Sequence, residues 1–468
     1  MDDFLREIQT SLFREWINNQ KRDYYHLHQS ETDPNAIIIE NEYCYSYVTF
    51  NPQCIIELCV MNKRTDEMAF YLHFQFKTLK HAISLFEEMD QCIKKMIDQP
   101  ICRLLLCCSG GMTTAFFADK IKNGIKVLNL NMEVAATSYQ KIYNVAQNYD
   151  VILLAPQVSY VKLQVEKVFK NKLVLKIPTQ IFASYNVGAL ITFIEESLKH
   201  KENKYNGYVE PLASMMEIKT NKNVLAVSIN ANGENSHISY RLYNSHQDIV
   251  LDSNIIKSNI KLQDVLDALD TVVLQNEMID VISIALPGVM VEGNVYSGII
   301  EGGNHQLKER LEKRYEKEIY LINDVNAAVV GYYASQNEYK SLAFLFQPIG
   351  RMAGSGIVVN GQLVRGMDHL AGEVALLPLN LSDAYLTLAN TPEGTLELVT
   401  KNIMSIIAIV APEAIVVYSD LILDSQDVSD EIKKALSQYP LKVYPQIIKV
   451  ENILEYILLG AMILSAKE

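Results

Sequence analysis

Apolar and polar positions along the chain fall into three stretches with different rhythms. Near the N-terminus Phe4, Ile8, Leu12 and Phe13 recur at helical spacing and predict a helix with one apolar face. Apolar-rich runs at 44–50, 54–60 and 68–76 then read as strands, with a polar turn at 62–66, and a helix over 79–96 closes the stretch. Its many aromatics, among them Tyr43, Tyr45, Phe70 and Phe74, read as core.

The second stretch alternates strands at 102–107, 127–130, 151–155 and 173–177 with helices at 113–123, 139–148, 160–169 and 186–199. That rhythm predicts a four-stranded parallel sheet with helices on both faces. The polar run from His200 to Gly207 opens a linker over 200–221. In the third stretch, strands at 224–229 and 237–243 bracket a polar turn. A buried strand at 281–286 breaks at Pro287-Gly288, and a helix at 308–315 leads to a strand at 319–322 running into Asn323-Asp324. Strands at 342–346 and 356–359, a turn at Asn360-Gly361, a helix at 396–410 and a strand at 415–418 follow. Meanders followed by crossovers, twice over, predict two α/β lobes around a cleft. The expected class is a multidomain α/β protein: an N-terminal α+β domain (1–97), the parallel-sheet domain (99–199), a linker (200–221) and the two-lobed domain (222–468).

A length of 468 residues is too great for one ordinary core. The formal net charge of −13 argues against nucleic acid or an anionic membrane as an obligate partner. No apolar run approaches membrane-spanning length and Met1-Asp2-Asp3 is no signal peptide, so the expected location is the cytoplasm. The seven cysteines all lie at or before Cys108 and none form a Cys-x-x-Cys pair; a reducing compartment is expected, without disulfides or a zinc site.

The sharpest chemistry lies at Cys107 and Cys108, followed by Ser109, Gly110, Gly111, Met112, Thr113 and Thr114. A thiol where a buried strand meets a small-residue loop and a helix N-terminus faces main-chain N–H groups, which stabilise a thiolate and equally a phosphoryl group. Successive strand side chains point to opposite faces, so one cysteine packs and the other faces the loop. Cys108, next to the loop, is the candidate nucleophile. Two packed thiols are the alternative.

Cys-Ser-Gly-Gly-Met-Thr-Thr resembles the active-site loop of the lactose/cellobiose-type enzyme IIB of the phosphoenolpyruvate-dependent sugar phosphotransferase system. The likeness continues through 151–160, with its Pro156-Gln157-Val158 run ending at Tyr160, and through Ile177-Pro178-Thr179 and 185–188. Ser159 stands where that family often has Arg. The resemblance implies that Cys108 accepts a phosphoryl group from the phosphohistidine of an enzyme IIA and passes it towards a sugar of the cellobiose, lactose or β-glucoside class. Residues 109–114 would cradle the phosphate, Gln157 and Tyr160 would contact substrate, and a membrane enzyme IIC would be a further partner. A cysteine phosphatase needs an Arg six residues after its cysteine, where this chain has Thr114.

Ala285-Leu286-Pro287-Gly288, the run 321–328, the run 354–366 and Ala371-Gly372-Glu373 together resemble the ROK family of sugar kinases and sugar-responsive repressors, with its actin-like, ribonuclease H-like lobes. The resemblance implies Asp324 as catalytic base and Glu373 as a ligand to sugar hydroxyls, and a homo-oligomer; an Asp before a helix also suits an N-cap. The family's phosphate turns are altered, to 228–235 and to Gly350-Arg351-Met352; Leu376 replaces a His, no zinc cysteines follow, and Tyr418-Ser419 replaces a Gly-Gly pair. The expectation is an impaired kinase fold that senses or docks a sugar, needing no obligatory cofactor, with ATP and magnesium relevant only to an active kinase. The alternatives are a non-enzymatic reporter of transport flux and an active ATP-dependent sugar kinase. No helix-turn-helix is evident, so no nucleic-acid partner is expected.

Overall fold

A computed structural model describes residues 3–63, 67–97, 102–109, 112–128, 130, 132–146, 149–169, 172–202, 220–232, 235–291, 294–296, 300–301, 306–367, 370–422, 424–437 and 444–467. The result is a multidomain α/β protein.

The N-terminal segment comprises α1 (Asp3–Asn18), β1 (His26–Gln29), β2 (Ala36–Glu40), β3 (Cys44–Asn51), β4 (Ile55–Asn62), β5 (Glu67–Gln75) and α2 (Leu79–Ile97). The predicted strands and closing helix are found, with two further strands before them. Of the apolar face predicted for α1 only Phe13 is buried: Phe4, Ile8 and Leu12 are exposed, whereas Ile17 is buried with Phe13 and Trp16 packs beside them. Only the last turns of the helix lie over the core.

The middle segment comprises β6 (Cys102–Cys108), α3 (Met112–Val127), β7 (Met132–Ser138), α4 (Ile142–Val145), β8 (Val151–Leu154), α5 (Lys162–Val168), β9 (Leu173–Lys176), α6 (Thr179–Ser184) and α7 (Val187–Glu202). Its four strands are all parallel, in the order β7-β6-β8-β9. The second strand is Met132–Ser138, not 127–130. Ile121 and Ile125 keep the helical period going, so α3 runs on to Val127, and the alternation Met132-Glu133-Val134 starts the strand instead. The strand order reverses direction after β7. Right-handed crossovers then send the connections after β6 and after β8 to opposite faces, which opens a crevice at the carboxyl ends of those two neighbours.

In the third segment β10 (Val224–Asn232), β11 (Asn235–Tyr243) and β12 (Ile249–Lys257) form an antiparallel meander, and Val281–Leu286 and Glu318–Asn323 extend it in parallel beyond β10. Packed with it are α8 (Leu262–Gln275) and α9 (Leu307–Tyr315), and α10 (Asp324–Ala334) follows the last strand. The second lobe is a five-stranded sheet with Leu342–Phe346 at its centre, between Gly354–Val359 and Ala414–Tyr418.

The N-terminal segment, expected as a domain of its own, shares this first lobe's sheet. Strand β5 pairs with β12 at Tyr71 and Ile256, so ten strands run continuously from β1 to Glu318–Asn323. Phe13, Phe74 and Phe86 share one core with Leu225, Ile255 and Leu269. Polar contacts cross the seam as well. Lys257, buried, reaches Glu88 Oε2 at 2.5 Å and Asp264 Oδ1 at 2.6 Å. Lys77 reaches both Asp267 and Asp270 at 2.6 Å, and Tyr240 and His73 share a 2.7 Å hydrogen bond. Residues 104–194 keep a separate core of their own.

Between the two lobe sheets α10 crosses the C-terminal helix Leu454–Lys467 at very short range. A Cβ on Gly460 would sit 1.8 Å from the Ala327 carbonyl oxygen, and one on Gly331 would sit 2.0 Å from that of Tyr456. This crossing fixes α10, whose first residue is Asp324.

Candidate functional site

Two places gather the residues singled out in the sequence. The first is the carboxyl edge of the middle sheet. Cys107 and Cys108 end β6, its inner strand, opposite Thr137 and Ser138 of β7, and Cys107 also faces Leu154 of β8. Cys107 is fully buried, and burial first, with the neighbouring Cys108 second, pushes its thiol up to about 12. It stays a neutral packing group at physiological pH. Cys108 is 5 % exposed and Ser109 after it is exposed. Gly110 and Gly111 lie outside the described residues, as do the side chains of Met112, Thr113 and Thr114; the backbone of those three opens α3. The helix N-terminus therefore stands directly after the cysteine's loop.

Gln157 and Tyr160 lie on a short 3-10 turn, Pro156–Val161, that leaves the carboxyl end of β8. Both are exposed, Tyr160 by 76 %. They flank the same crevice as Cys108 because β6 and β8 are parallel neighbours. The 3-10 start follows from Pro156, which fixes φ and lacks an N–H.

The second place is a 220 Å³ cleft between the lobes. Its lining brings together Asp324, Glu373, Asn230, Asn323, Gly288 and Arg351. The N-cap of α10 is Asn323, not Asp324: Asn323 Oδ1 accepts the N–H groups of Val325 and Asn326 at 3.1 and 3.0 Å. Asp324 occupies the first helical position, and its Oδ1 accepts from Val325 at 2.9 Å. Its carboxyl is pushed up to about 7, first by burial, against hydrogen bonds from main-chain N–H groups and with a small push from Glu373. Burial raises Glu373 as well. Two carboxyls with displaced pKa values face one cavity, the setting of a proton-handling or hydroxyl-binding site.

The turn at 347–353 forms the facing wall. Gln347 is buried and donates to the carbonyls of Pro348 and Arg351, each at 2.9 Å. Tyr385 donates to Gln347 Oε1 at 2.8 Å and accepts from the Ala353 N–H at 3.1 Å. Gly350 is left-handed at φ +63°, and a side chain there would press on Asn390. Gln347 and Tyr385 carry no motif, so sequence reading missed them; only the fold shows that they hold this turn. Leu376 is 75 % exposed.

Comparison with known proteins adds the families. Residues 103–192 match the model of the lactose/cellobiose-specific IIB subunit of the phosphotransferase system, and residues 233–394 match that of the ROK family. The chain carries a IIB domain and a ROK domain. Among solved structures, a ROK family protein from Streptococcus pneumoniae TIGR4 in complex with sucrose is 18 % identical at TM-score 0.42, over 52 % of this chain and 98 % of that one. A ROK family glucokinase from Streptomyces griseus, in complex with glucose and AMPPNP, is 16 % identical at TM-score 0.41, over 53 % and 100 %. A lactose-specific IIB domain from Streptococcus pneumoniae is 21 % identical at TM-score 0.19, over 20 % and 95 %. No curated protein matches the chain. The IIB match spans Cys108, Gln157 and Tyr160, and the ROK match spans Asp324, Arg351 and Glu373. Among the described residues, no helix is long and apolar enough to cross a membrane.

Proposed function

We propose that this protein is a cytoplasmic phosphotransferase-system carrier in which Cys108 holds a transient phosphoryl group, joined to a ROK domain that senses a sugar rather than phosphorylating it with ATP. The Cys108 thiolate attacks the phosphorus of a phosphohistidine on an enzyme IIA; the P–N bond breaks, a P–S bond forms and the imidazole leaves. A sugar hydroxyl, presented by a membrane enzyme IIC, then attacks the same phosphorus, loses its proton and releases the thiolate. The observation that carries the reading is the position of Cys108 at the carboxyl end of an inner parallel strand, directly before a helix N-terminus, inside the stretch that matches the IIB family.

For the ROK domain the support lies in the nucleotide side of the cleft. Arg351 and Met352, both exposed and both lining the cavity, occupy the turn that holds a small hydroxyl residue and a glycine in ROK kinases. That wall does not fit the closely approaching main chain a triphosphate needs, and phosphoryl transfer is mostly positioning and charge neutralisation. One observation favours the kinase as a second reading: the Asp324 carboxyl, near 7, is suited to accept a sugar proton.

Incubation with phosphoenolpyruvate, enzyme I, HPr and a cognate enzyme IIA tests the first part. Wild type and Cys107→Ala are expected to take up the label and Cys108→Ala to lose it; label retained by Cys108→Ala refutes the assignment. ATP-dependent sugar phosphorylation abolished by Asp324→Asn would establish the second reading instead.

A further inference from the structure

Among the described residues, Arg351 is the cation lining the lobe cleft, beside the carboxyls of Asp324 and Glu373. Among the described residues its guanidinium has no carboxylate partner, although the chain carries an excess of acids. Its place is fixed rather than incidental. Gln347, buried in the lobe, binds the Arg351 carbonyl, Tyr385 clamps the far side of the same turn at Ala353, and Gly350 donates to the Ala389 carbonyl at 2.9 Å. The turn is tied down on its buried side, so that the Arg351 side chain is left on the cavity side. A guanidinium so placed offers a planar fork matched to two oxygens of a phosphate.

The cavity's size narrows the choice of ligand. At 220 Å³ it is smaller than the roughly 300–1,000 Å³ of pockets that enclose drug-sized ligands, which suits one sugar ring with a small substituent better than a sugar and a nucleoside triphosphate together. Asp324, Glu373 and Asn230 offer hydrogen-bonding groups for hydroxyls in the same cavity that Arg351 lines.

We propose that the cleft binds a phosphorylated sugar, its phosphate held by Arg351 and its ring hydroxyls by Glu373 and Asp324. This rests on the sensing role proposed above for the ROK domain and names its ligand. A chain whose IIB domain passes a phosphoryl group towards sugar would then carry a receptor for the class of product that transfer yields, discriminating it from the unphosphorylated sugar by one charged contact.

Calorimetric titration of the full chain tests this with glucose, N-acetylglucosamine and cellobiose, each beside its phosphate ester (6-phosphate or 6′-phosphate), and with inorganic phosphate alone. At least one ester is expected to bind tenfold or more tightly than its parent sugar and than inorganic phosphate. Arg351→Gln, an exposed replacement, is expected to melt at the wild-type temperature, bind the parent sugar as before and reduce the preference for the ester to less than threefold; Arg351→Lys keeps an intermediate preference. Equal binding of parent and ester leaves a sugar sensor but overturns the phosphate assignment, as does a preference that survives Arg351→Gln. Binding of inorganic phosphate as tight as that of any ester also overturns it, and so does a panel in which no member binds. Cys108 labelling is independent of all these outcomes, so failure there counts against the carrier reading and not against the cleft ligand.

Discussion

If residues 3–97 and the first ROK lobe are one body, damage placed in the lobe must be felt by a reporter in the N-terminal segment. Lys257 is the place to strike. It lies in β12, is almost wholly buried, and balances Asp264 beside it and Glu88 across the seam on α2. Burial opposes its charge, yet the two carboxylates outweigh burial and hold its pKa above the ordinary lysine value. Lys257→Ala leaves Asp264 and Glu88 in a poorly solvated seam with Lys261 as their remaining partner, its Nζ 3.3 Å from Glu88 and its N–H 2.8 Å from Asp264. Removing one partner of a buried pair costs about 3–5 kcal/mol. The chain's single tryptophan, Trp16, supplies the reporter: its ring meets Phe86 edge-on at 5.5 Å, on the same helix as Glu88. The IIB stretch contains no tryptophan, so its unfolding is silent in this signal. Urea unfolding followed by Trp16 fluorescence should show a clear fall in midpoint for Lys257→Ala and a much smaller one for Lys257→Arg. An unchanged Trp16 midpoint in Lys257→Ala, while circular dichroism shows the lobe melting earlier, would refute the shared core.

Two further outcomes follow from the cleft and its supports. The Asp324 carboxyl titrates near 7 when folded and near 3.8 when unfolded, so folding holds an extra proton between those values. The site's contribution to stability is then fully present below about pH 4 and falls by roughly 1.4 kcal/mol per pH unit up to 7. Asp324→Asn removes this dependence, and its stability relative to wild type should rise by about 2 kcal/mol between pH 5 and pH 7 in denaturation at both pH values; a gap that does not change with pH argues against the raised pKa. Gly460→Ala forces a methyl group against the Ala327 carbonyl at the crossing that carries α10. It should destabilise by about 1–3 kcal/mol and weaken sugar binding as Asp324 shifts, measured by melting and titration, whereas Ala466→Gly, farther along the same helix, should leave binding unchanged.

Much of the fold was legible because periodicity is local information. The parallel sheet of the middle segment and the cysteine at its edge follow from a short apolar run ending in Ser109 and two glycines, and Asn323-Asp324 announces a helix start at a strand end. The errors have physical causes. Met132–Ser138 carries two alanines and a threonine, so its strand pattern is faint beside the apolar but exposed Val127 and Leu128. On α1, Phe4, Ile8 and Leu12 share a stripe as regular as any core face, and only the position of the sheet decides that Phe13 and Ile17 are the buried pair. The continuation of β5 into β12 is a pairing between residues about 185 positions apart, at Tyr71 and Ile256, and no local pattern encodes it. Gln347 and Tyr385 were missed for the same reason, since each acquires its role only through the other.

That long-range pairing changes how the IIB domain should be understood. With 3–97 and the strands of 224–323 sharing a sheet, both ends of the middle segment are anchored to one body, and the IIB domain is an insertion rather than a bead on a string. The two tethers differ in reach. From Ile97 to Cys102 the chain spans at most about 18 Å, while from Glu202 to Thr220 it spans at most about 65 Å, at ~3.6 Å per extended residue. The short side therefore sets where β6 begins, just beyond α2, the helix whose Glu88 is paired across the seam with Lys257. A IIB domain held this way stays near the ROK body at an effective concentration limited by the shorter tether and independent of how much protein the cell contains. The N-terminal segment supplies one of the two anchor points, through the strand pairing of β5 with β12 and the core it shares with the first lobe.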